Sequence, residues 1–333
     1  MSGAVIAWLR QQSFALLLFA AVGLAFIWPD PVVAEQGPRA DALADAAVAV
    51  IFLLQGLSLG MRQILAGARP LRLHAFVLGW NFLFFPALVA LLLLPVRYLI
   101  GPELSGGLWM LAILPTTIAS ATALTVAASG GPAAAICASV FSNLLAVVLV
   151  PLLAVAYLSS TGGLEVALLP VFEQLARMVL LPLASGQLVR QAFPAGAQAI
   201  GARTRRVPQA AILYIVYLSF AQTLDAGVWE SLAWWQLTSI GLLVVLLLLL
   251  VSWLVWQTSA WMRFNSGQRI AAFYTASQKS IATGLPLLSA IFAAASWPVG
   301  SGLLLLPLLI YHPLQLLLGG LLVPGLAKGA TKR

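Results

Sequence analysis

Ten stretches of this chain are each long and apolar enough to cross a lipid bilayer, and no other feature constrains its fold as tightly. A spanning helix needs roughly 20 mostly apolar residues, within about 17–25. Residues 8–28, 43–60, 71–94, 108–128, 133–157, 166–189, 208–224, 234–260, 270–293 and 299–322 meet that requirement as spans 1 to 10. Turn formers separate them at Trp28-Pro29-Asp30-Pro31, Gly67-Ala68-Arg69-Pro70, Ser129-Gly130-Gly131-Pro132 and from Ser159 to Gly163. The connecting loops are too short for a separate soluble domain. Of the residues, 62% are apolar and 8% charged, against roughly 25% charged in an average soluble domain. Too few polar groups remain to cover a water-soluble enzyme, and too few charges for a disordered chain. A β-barrel would alternate apolar and polar residues, whereas Leu242 to Val251 is apolar throughout. The predicted fold class is an all-α polytopic membrane protein.

The loop charges set an orientation. The net charge is +8, from 17 basic and 9 acidic residues. Arg62, Arg69 and Arg72 follow span 2; Arg190, Arg203, Arg205 and Arg206 follow span 6; Arg263 and Arg269 follow span 8; Lys328, Lys332 and Arg333 follow span 10. The alternate loops carry Asp30, Glu35, Asp41, Glu103, Glu165, Asp225 and Glu230, with Arg39 and Arg97 as their cations. Basic loops mark the cytoplasmic side, so the expectation is an inner-membrane, multi-pass protein with both termini cytoplasmic. The basic balance is then a topology signal, with the lipid bilayer as partner and no nucleic acid. Nothing in the sequence specifies an oligomer. A cleaved signal peptide over residues 1–34 is the competing reading of the N-terminus.

The two halves resemble each other at an offset near 163 residues. Gln11, Leu16 to Leu18 and Gly23 face Gln174, Val179 to Leu181 and Gly186, and Thr117-Ile118-Ala119-Ser120 faces Ser280-Ile281-Ala282-Thr283. Spans 1–5 then map onto spans 6–10, giving repeats over residues 1–163 and 164–333. Five is odd, so the second repeat is inverted, an arrangement found in secondary transporters. The plainer alternative is a duplicated membrane scaffold.

Polar groups inside a bilayer are costly and mark function. Here they gather in corresponding spans of the two halves. Span 4 carries Pro115-Thr116-Thr117-Ile118-Ala119-Ser120-Ala121-Thr122, and span 9 carries Thr275-Ala276-Ser277-Gln278-Lys279-Ser280-Ile281-Ala282-Thr283-Gly284-Leu285-Pro286. Each contains a helix breaker. Broken helices free backbone groups near the midplane, where they can bind an ion or substrate. The plainer reading is that these hydroxyls bond back to their own helices and mediate packing. Lys279 lies nearly mid-span, where a charge must meet carbonyls, a polar cavity or an anion, or lose its proton. It could attract an anion, carry a proton, replace a bound cation, or hold the broken helices together.

Other polar residues read more simply. Glu173 and Arg177, four apart on span 6, form a helical-face pair. Asp45 and His74 are expected at membrane interfaces. His312, before Pro313 in span 10, could carry protons. Asn81, five before Pro86, could cap a broken helix or ligate an ion. Asn143, beside Ser142 on span 5, could reach the span 4 cluster. Cys137, the single cysteine, forbids an intrachain disulfide and a multi-cysteine metal site and reads as packing. Trp28, Trp109, Trp229, Trp234, Trp235 and Trp297 suit an interfacial belt. No phosphate-binding glycine loop, metal-ligand cluster or convergent acid, base and nucleophile is evident, so neither ATP-driven nor enzymatic chemistry is expected.

These residues resemble the bile acid:sodium symporter family over essentially the whole chain. Ser277 to Pro286 looks like the Lys-Ser-Leu-x-x-Gly-x-Pro element of its divergent symporter-like bacterial branch, and Leu114 to Ser120 and Ser142-Asn143-Leu144-Leu145 are similar to that branch. The resemblance implies a panel of spans 1, 2, 6 and 7 and a core of spans 3–5 and 8–10. Spans 4 and 9 would be broken and cross, with substrate in the cleft beside the crossing. Sodium-coupled members use a Ser-Asn pair on span 4, an amide on span 3, and a Glu then a Gln on span 9. Ser120, Asn81 and Gln278 match this pattern, but Ala121 replaces the asparagine and Tyr274 the glutamate. A site without its carboxylate and beside an ammonium binds sodium poorly. Lys279 would replace one sodium ion, leaving transport uncoupled or proton-coupled.

The expectation is a secondary transporter for an organic anion or small organic acid. Its candidate binding residues are Asn81, Thr116, Thr117, Ser120, Asn143, Ser277, Gln278, Lys279, Ser280 and Thr283, with no catalytic or metal-ligating residue and no cofactor beyond a coupling Na+ or H+. The alternatives are a metalloid oxyanion efflux carrier, weakened by the place of Cys137 on span 5, and a membrane sensor or scaffold that moves nothing.

Overall fold

The computed structural model describes residues 13–29, 37–58, 69–160, 173–204, 206–225, 227–294 and 302–331. The start of the signal-peptide reading, Arg10, Gln11, the Asp30–Glu35 loop, Arg62, Glu165, Arg205, Trp297, Lys332 and Arg333 lie outside those residues. The described chain is helical and contains no strand. Six of its helical segments are long and apolar enough to cross a membrane: Arg39–Ser58, Leu71–Ile113, Pro132–Ser160, Val207–Asp225, Trp234–Trp261 and Gly302–Lys328.

The six segments differ from the ten expected spans at identifiable places. Leu71–Ile113 is 43 residues, about 65 Å at 1.5 Å per residue, twice a hydrocarbon core of about 30 Å. Gly101 divides it with a φ of 84° and a ψ of 168°, a conformation open to glycine. Spans 4 and 9 are interrupted by non-helical residues at 114–118 and 278–280. The helical parts flanking those breaks, Ala119–Ala127, Ser266–Ser277 and Ile281–Ala294, are each too short to span alone. Spans 1 and 6 begin outside the described residues. The region after span 6, expected as loop, holds the short helix Pro194–Arg203.

Helix Trp234–Trp261 shows why these elements need lipid. Ile240, Val244, Leu247, Leu248, Val251 and Val255 are buried, while Leu242, Leu246, Leu249, Leu250 and Trp253 are exposed along the opposite face. A helix apolar all round has no face for water.

The chain divides into two compact units. One comprises Met1–Ser58, Ala167–Ala233 and Leu285–Leu309. Within it helices Gly37–Ser58 and Leu181–Ala192 approach backbone to backbone. A Cβ on Gly56 would lie 2.3 Å from the Leu183 carbonyl oxygen, and one on Gly186 2.3 Å from that of Leu53. Small residues allow such an approach between membrane helices. Gln187 Nε2 and an Arg190 guanidinium nitrogen donate to the Gly56 and Leu57 carbonyls at 2.7 and 2.6 Å. Arg177 and Glu173 pair at 3.6 Å on an exposed face, the pair expected from their spacing.

The other unit comprises Leu59–Val166, Trp234–Gly284 and Ile310–Arg333. It contains every candidate binding residue. His74 is 4% exposed, its face of helix Leu71–Gly79 turned towards Phe141, with 5.0 Å between ring centroids. Trp109 donates to the Leu153 carbonyl and stacks on Tyr157.

Candidate functional site

Two prolines, Pro86 and Pro115, shape one side of the site. Pro115 cannot donate a hydrogen bond and pushes the residue before it out of helical geometry. Leu114 accordingly has φ −70° and ψ 153°, and the helix ends at Ile113. Pro86 acts differently. The helix absorbs its ring with a π-helical turn, Trp80–Phe84, in which the Phe85 amide donates five residues back to the Trp80 carbonyl. The next such donor would serve the Asn81 carbonyl, but it is the nitrogen of Pro86. Two prolines thus leave carbonyls without helical partners at Asn81 and around Leu114.

The Lys279 ammonium takes these carbonyls. Its Nζ donates to the backbone oxygens of Ala112 at 2.6 Å, Leu114 at 2.8 Å and Asn81 at 3.2 Å. It also lies 4.3 Å from the centroid of the Phe85 ring. An ammonium has three donors, and all three are engaged. Lys279 is 0% exposed. In this conformation it offers no hydrogen to an anion, so of the roles open to it the geometry favours the cation that holds the breaks.

The second break is not made by its proline. Pro286 lies inside helix Ile281–Ala294, and the chain leaves helical geometry earlier, at Gln278, with φ −97° and ψ 148°. Side chains from helix Gly302–Thr331 satisfy the freed backbone there. The Tyr311 hydroxyl donates to the Ser277 carbonyl at 2.8 Å. The Gln315 amide pairs with both backbone groups of Lys279, accepting from its N–H at 2.7 Å and donating to its carbonyl at 2.8 Å. Ser280 caps the following helix, its Oγ accepting from the Thr283 amide at 3.2 Å. The two breaks then meet directly: the Ser280 N–H donates to the Pro115 carbonyl at 2.8 Å. Gly284 makes room, since a Cβ there would lie 2.6 Å from Leu114 Cδ1.

Around this meeting point the candidate residues fall into three groups. Asn81, Thr116 and Asn143 converge on span 5. Asn81 Nδ2 and the Thr116 amide both donate to Ser142 Oγ, at 3.0 and 3.3 Å. Asn143 Nδ2 donates to the Thr116 carbonyl at 2.8 Å, so Asn143 does reach the span 4 cluster. Ser120 Oγ lies 3.0 Å from Thr117 Oγ1 and 3.2 Å from Gln278 Oε1, joining the two breaks by side chains, and the Thr117 carbonyl accepts from Ser139 Oγ. Ser277 and Thr283 do not reach across: Ser277 Oγ bonds to the Phe273 carbonyl of its own helix, and Thr283 meets Ser280. Asn81 Oδ1, Thr116 Oγ1, Asn143 Oδ1 and Gln278 Nε2 are enclosed and have no hydrogen-bond partner among the described residues.

The oxygens of this group are those of neutral amides and hydroxyls. Tyr274, where sodium-coupled symporters are expected to carry glutamate, donates to the Gly319 carbonyl at 2.9 Å. This group contains no carboxylate, and the Lys279 ammonium is bonded to the Asn81 backbone carbonyl beside it. Gln315 and Tyr311 were missed in the sequence. The signal for Gln315 was present, a polar side chain within an apolar span, three residues after His312.

The family model of the SBF-like CPA transporter family matches residues 12–328. The chain is 31% identical over 309 residues to the symporter candidate YfeH of Escherichia coli, covering 91% of this chain and 89% of that one. It is 30% identical over 331 residues to sodium/bile acid cotransporter 7 of Mus musculus, covering 97% of this chain and 95% of that one.

Proposed function

The chain belongs to the SBF-like CPA transporter family, and on that premise we propose that it carries an organic anion or small organic acid by alternating access, with Lys279 in the place of a coupling sodium ion. Family membership makes it a multi-pass membrane transporter with a small-molecule cargo; transporters of this kind are not enzymes. The single observation that carries the finer reading is the meeting of two helix breaks around a buried ammonium bonded to three backbone carbonyls.

A protein that binds a monovalent cation through carbonyls replaces the ion's hydration shell. Lys279 presents a covalently tethered ammonium to the same kind of ligands and needs no ion from solution. Transport is then uncoupled from sodium and runs downhill or with protons. The enclosed donors without partners, Thr116 Oγ1 and Gln278 Nε2, suit a carboxylate cargo, as do the positive N-terminal ends of Ala119–Ala127 and Ile281–Ala294. The ten-span reading with inverted repeats draws support from the breaks at 114–118 and 278–280 and from the turn at Gly101. The panel of spans 1, 2, 6 and 7 draws support from the unit that gathers residues up to Ser58 and Ala167–Ala233. Both termini are assigned to the cytoplasm on the loop charges.

Flux in vesicles tests this reading. Purified protein in proteoliposomes is offered radiolabelled taurocholate and a series of short-chain carboxylates, with sodium or choline as the bath cation. Uptake of one of them, equal in the two baths, is the expected result. A steep sodium dependence overturns the coupling claim. Stabilisation by an anion without flux favours the sensor.

A further inference from the structure

The Gln315 amide is held at both of its polar atoms. Its Oε1 faces the Lys279 N–H at 2.7 Å and its Nε2 faces the Lys279 carbonyl at 2.8 Å. Reversing the amide would set nitrogen against N–H and oxygen against carbonyl, so its orientation is fixed. One Nε2 hydrogen goes to the Lys279 carbonyl. The other points at His312 Nδ1, 2.9 Å away. His312 Nδ1 must therefore be an acceptor, and the neutral ring carries its hydrogen on Nε2.

From this geometry we infer that His312 is a proton-binding site, and that a proton there releases the break at Lys279. A hydrogen on Nδ1 would confront the Gln315 N–H at 2.9 Å. The contact turns from attractive to repulsive, and Gln315 must turn. The Lys279 backbone then loses both of its side-chain partners at once. The Gln315 side chain lies beside free space. It borders a cavity of about 10 Å³ lined also by Ser252, Tyr274, Ser277 and Gln278, room for roughly one water. The Gln278 Nε2 on that lining is enclosed and without a partner.

The other titratable side chains on the elements around His312 are committed elsewhere. Lys279 Nζ is held by three carbonyls, Tyr311 by the Ser277 carbonyl and Tyr274 by the Gly319 carbonyl. Among the described residues no carboxylate is hydrogen bonded to the ring. Imidazole has the unperturbed pKa nearest neutrality of this set, and His312 itself is buried. The linkage of proton and break stands on this geometry alone; its use as the coupling step rests on the transporter reading.

The chain has two histidines, which makes the test direct. The full-length protein is labelled with 15N-histidine in detergent, and His312→Asn identifies which signals belong to His312. At neutral pH the His312 ring should show an unprotonated Nδ1 and a protonated Nε2. On acidification both nitrogens become protonated, and hydrogen exchange of the backbone over residues 278–280, read by mass spectrometry, accelerates tenfold or more with the same midpoint. In Gln315→Leu exchange there should be fast at every pH while His312 still titrates. A hydrogen on Nδ1 at neutral pH overturns the proposal. So does exchange over 278–280 that stays constant through the His312 titration. Neither readout involves flux, so a protein that carries nothing can still pass or fail.

Discussion

Lys279 shows how a single residue can be legible in a sequence while its partners are not. A lysine nearly mid-span announces a cost that something must offset. What offsets it is backbone, and backbone carbonyls carry no side-chain identity. The indirect signs were Pro86 and Pro115, each of which removes a donor and leaves an acceptor waiting. Gln315 was equally visible as a polar residue within span 10, but its pairing with a peptide group needed the fold. Lys279→Met should leave three enclosed carbonyls without donors. Each unsatisfied buried acceptor costs about 1–3 kcal/mol, so the loss should be on the order of 3 kcal/mol or more. Thermal unfolding in detergent measures it, and a loss below about 0.5 kcal/mol, the range of ordinary surface substitutions, would contradict the assigned contacts.

At the scale of elements, the same chemistry produced two different breaks. In span 4 the proline sits at the break and dictates it. In span 9 Pro286 lies within the helix, and the break is held open by Tyr311, Gln315 and the Ser280 cap. Hydropathy and breaker residues located both polar stretches, but could not say which residue ends the helix, because tertiary partners decide it in span 9. The short helix Pro194–Arg203 escaped for a similar reason: ten residues of mixed polarity carry no spanning signal. Two glycine contacts test the packing of elements. Gly284→Ala should press on Leu114 and cost about 1–3 kcal/mol, and Leu114→Ala in the same chain should relieve it, with a coupling energy above about 0.5 kcal/mol. Independent, additive losses in a thermal-melt cycle would refute the close approach of the breaks. Gly56→Ala, whose new methyl meets a backbone oxygen rather than a movable side chain, should lower the melting point more than Ala184→Ser on the exposed face of helix Leu181–Ala192. Equal effects would count against a backbone contact there.

At the scale of the whole molecule, the proposal is that a covalently attached ammonium occupies the place of a soluble cation in a transporter of this family. A ligand that binds the folded state raises its stability with concentration, so the claim can be read without knowing the cargo. The melting midpoint of the purified wild-type protein is compared in sodium chloride and choline chloride at matched ionic strength, beside that of Lys279→Gln. The wild type should melt at the same temperature in both salts, and Lys279→Gln should gain stability from sodium. A wild-type midpoint that climbs with sodium but not with choline would contradict that role for Lys279.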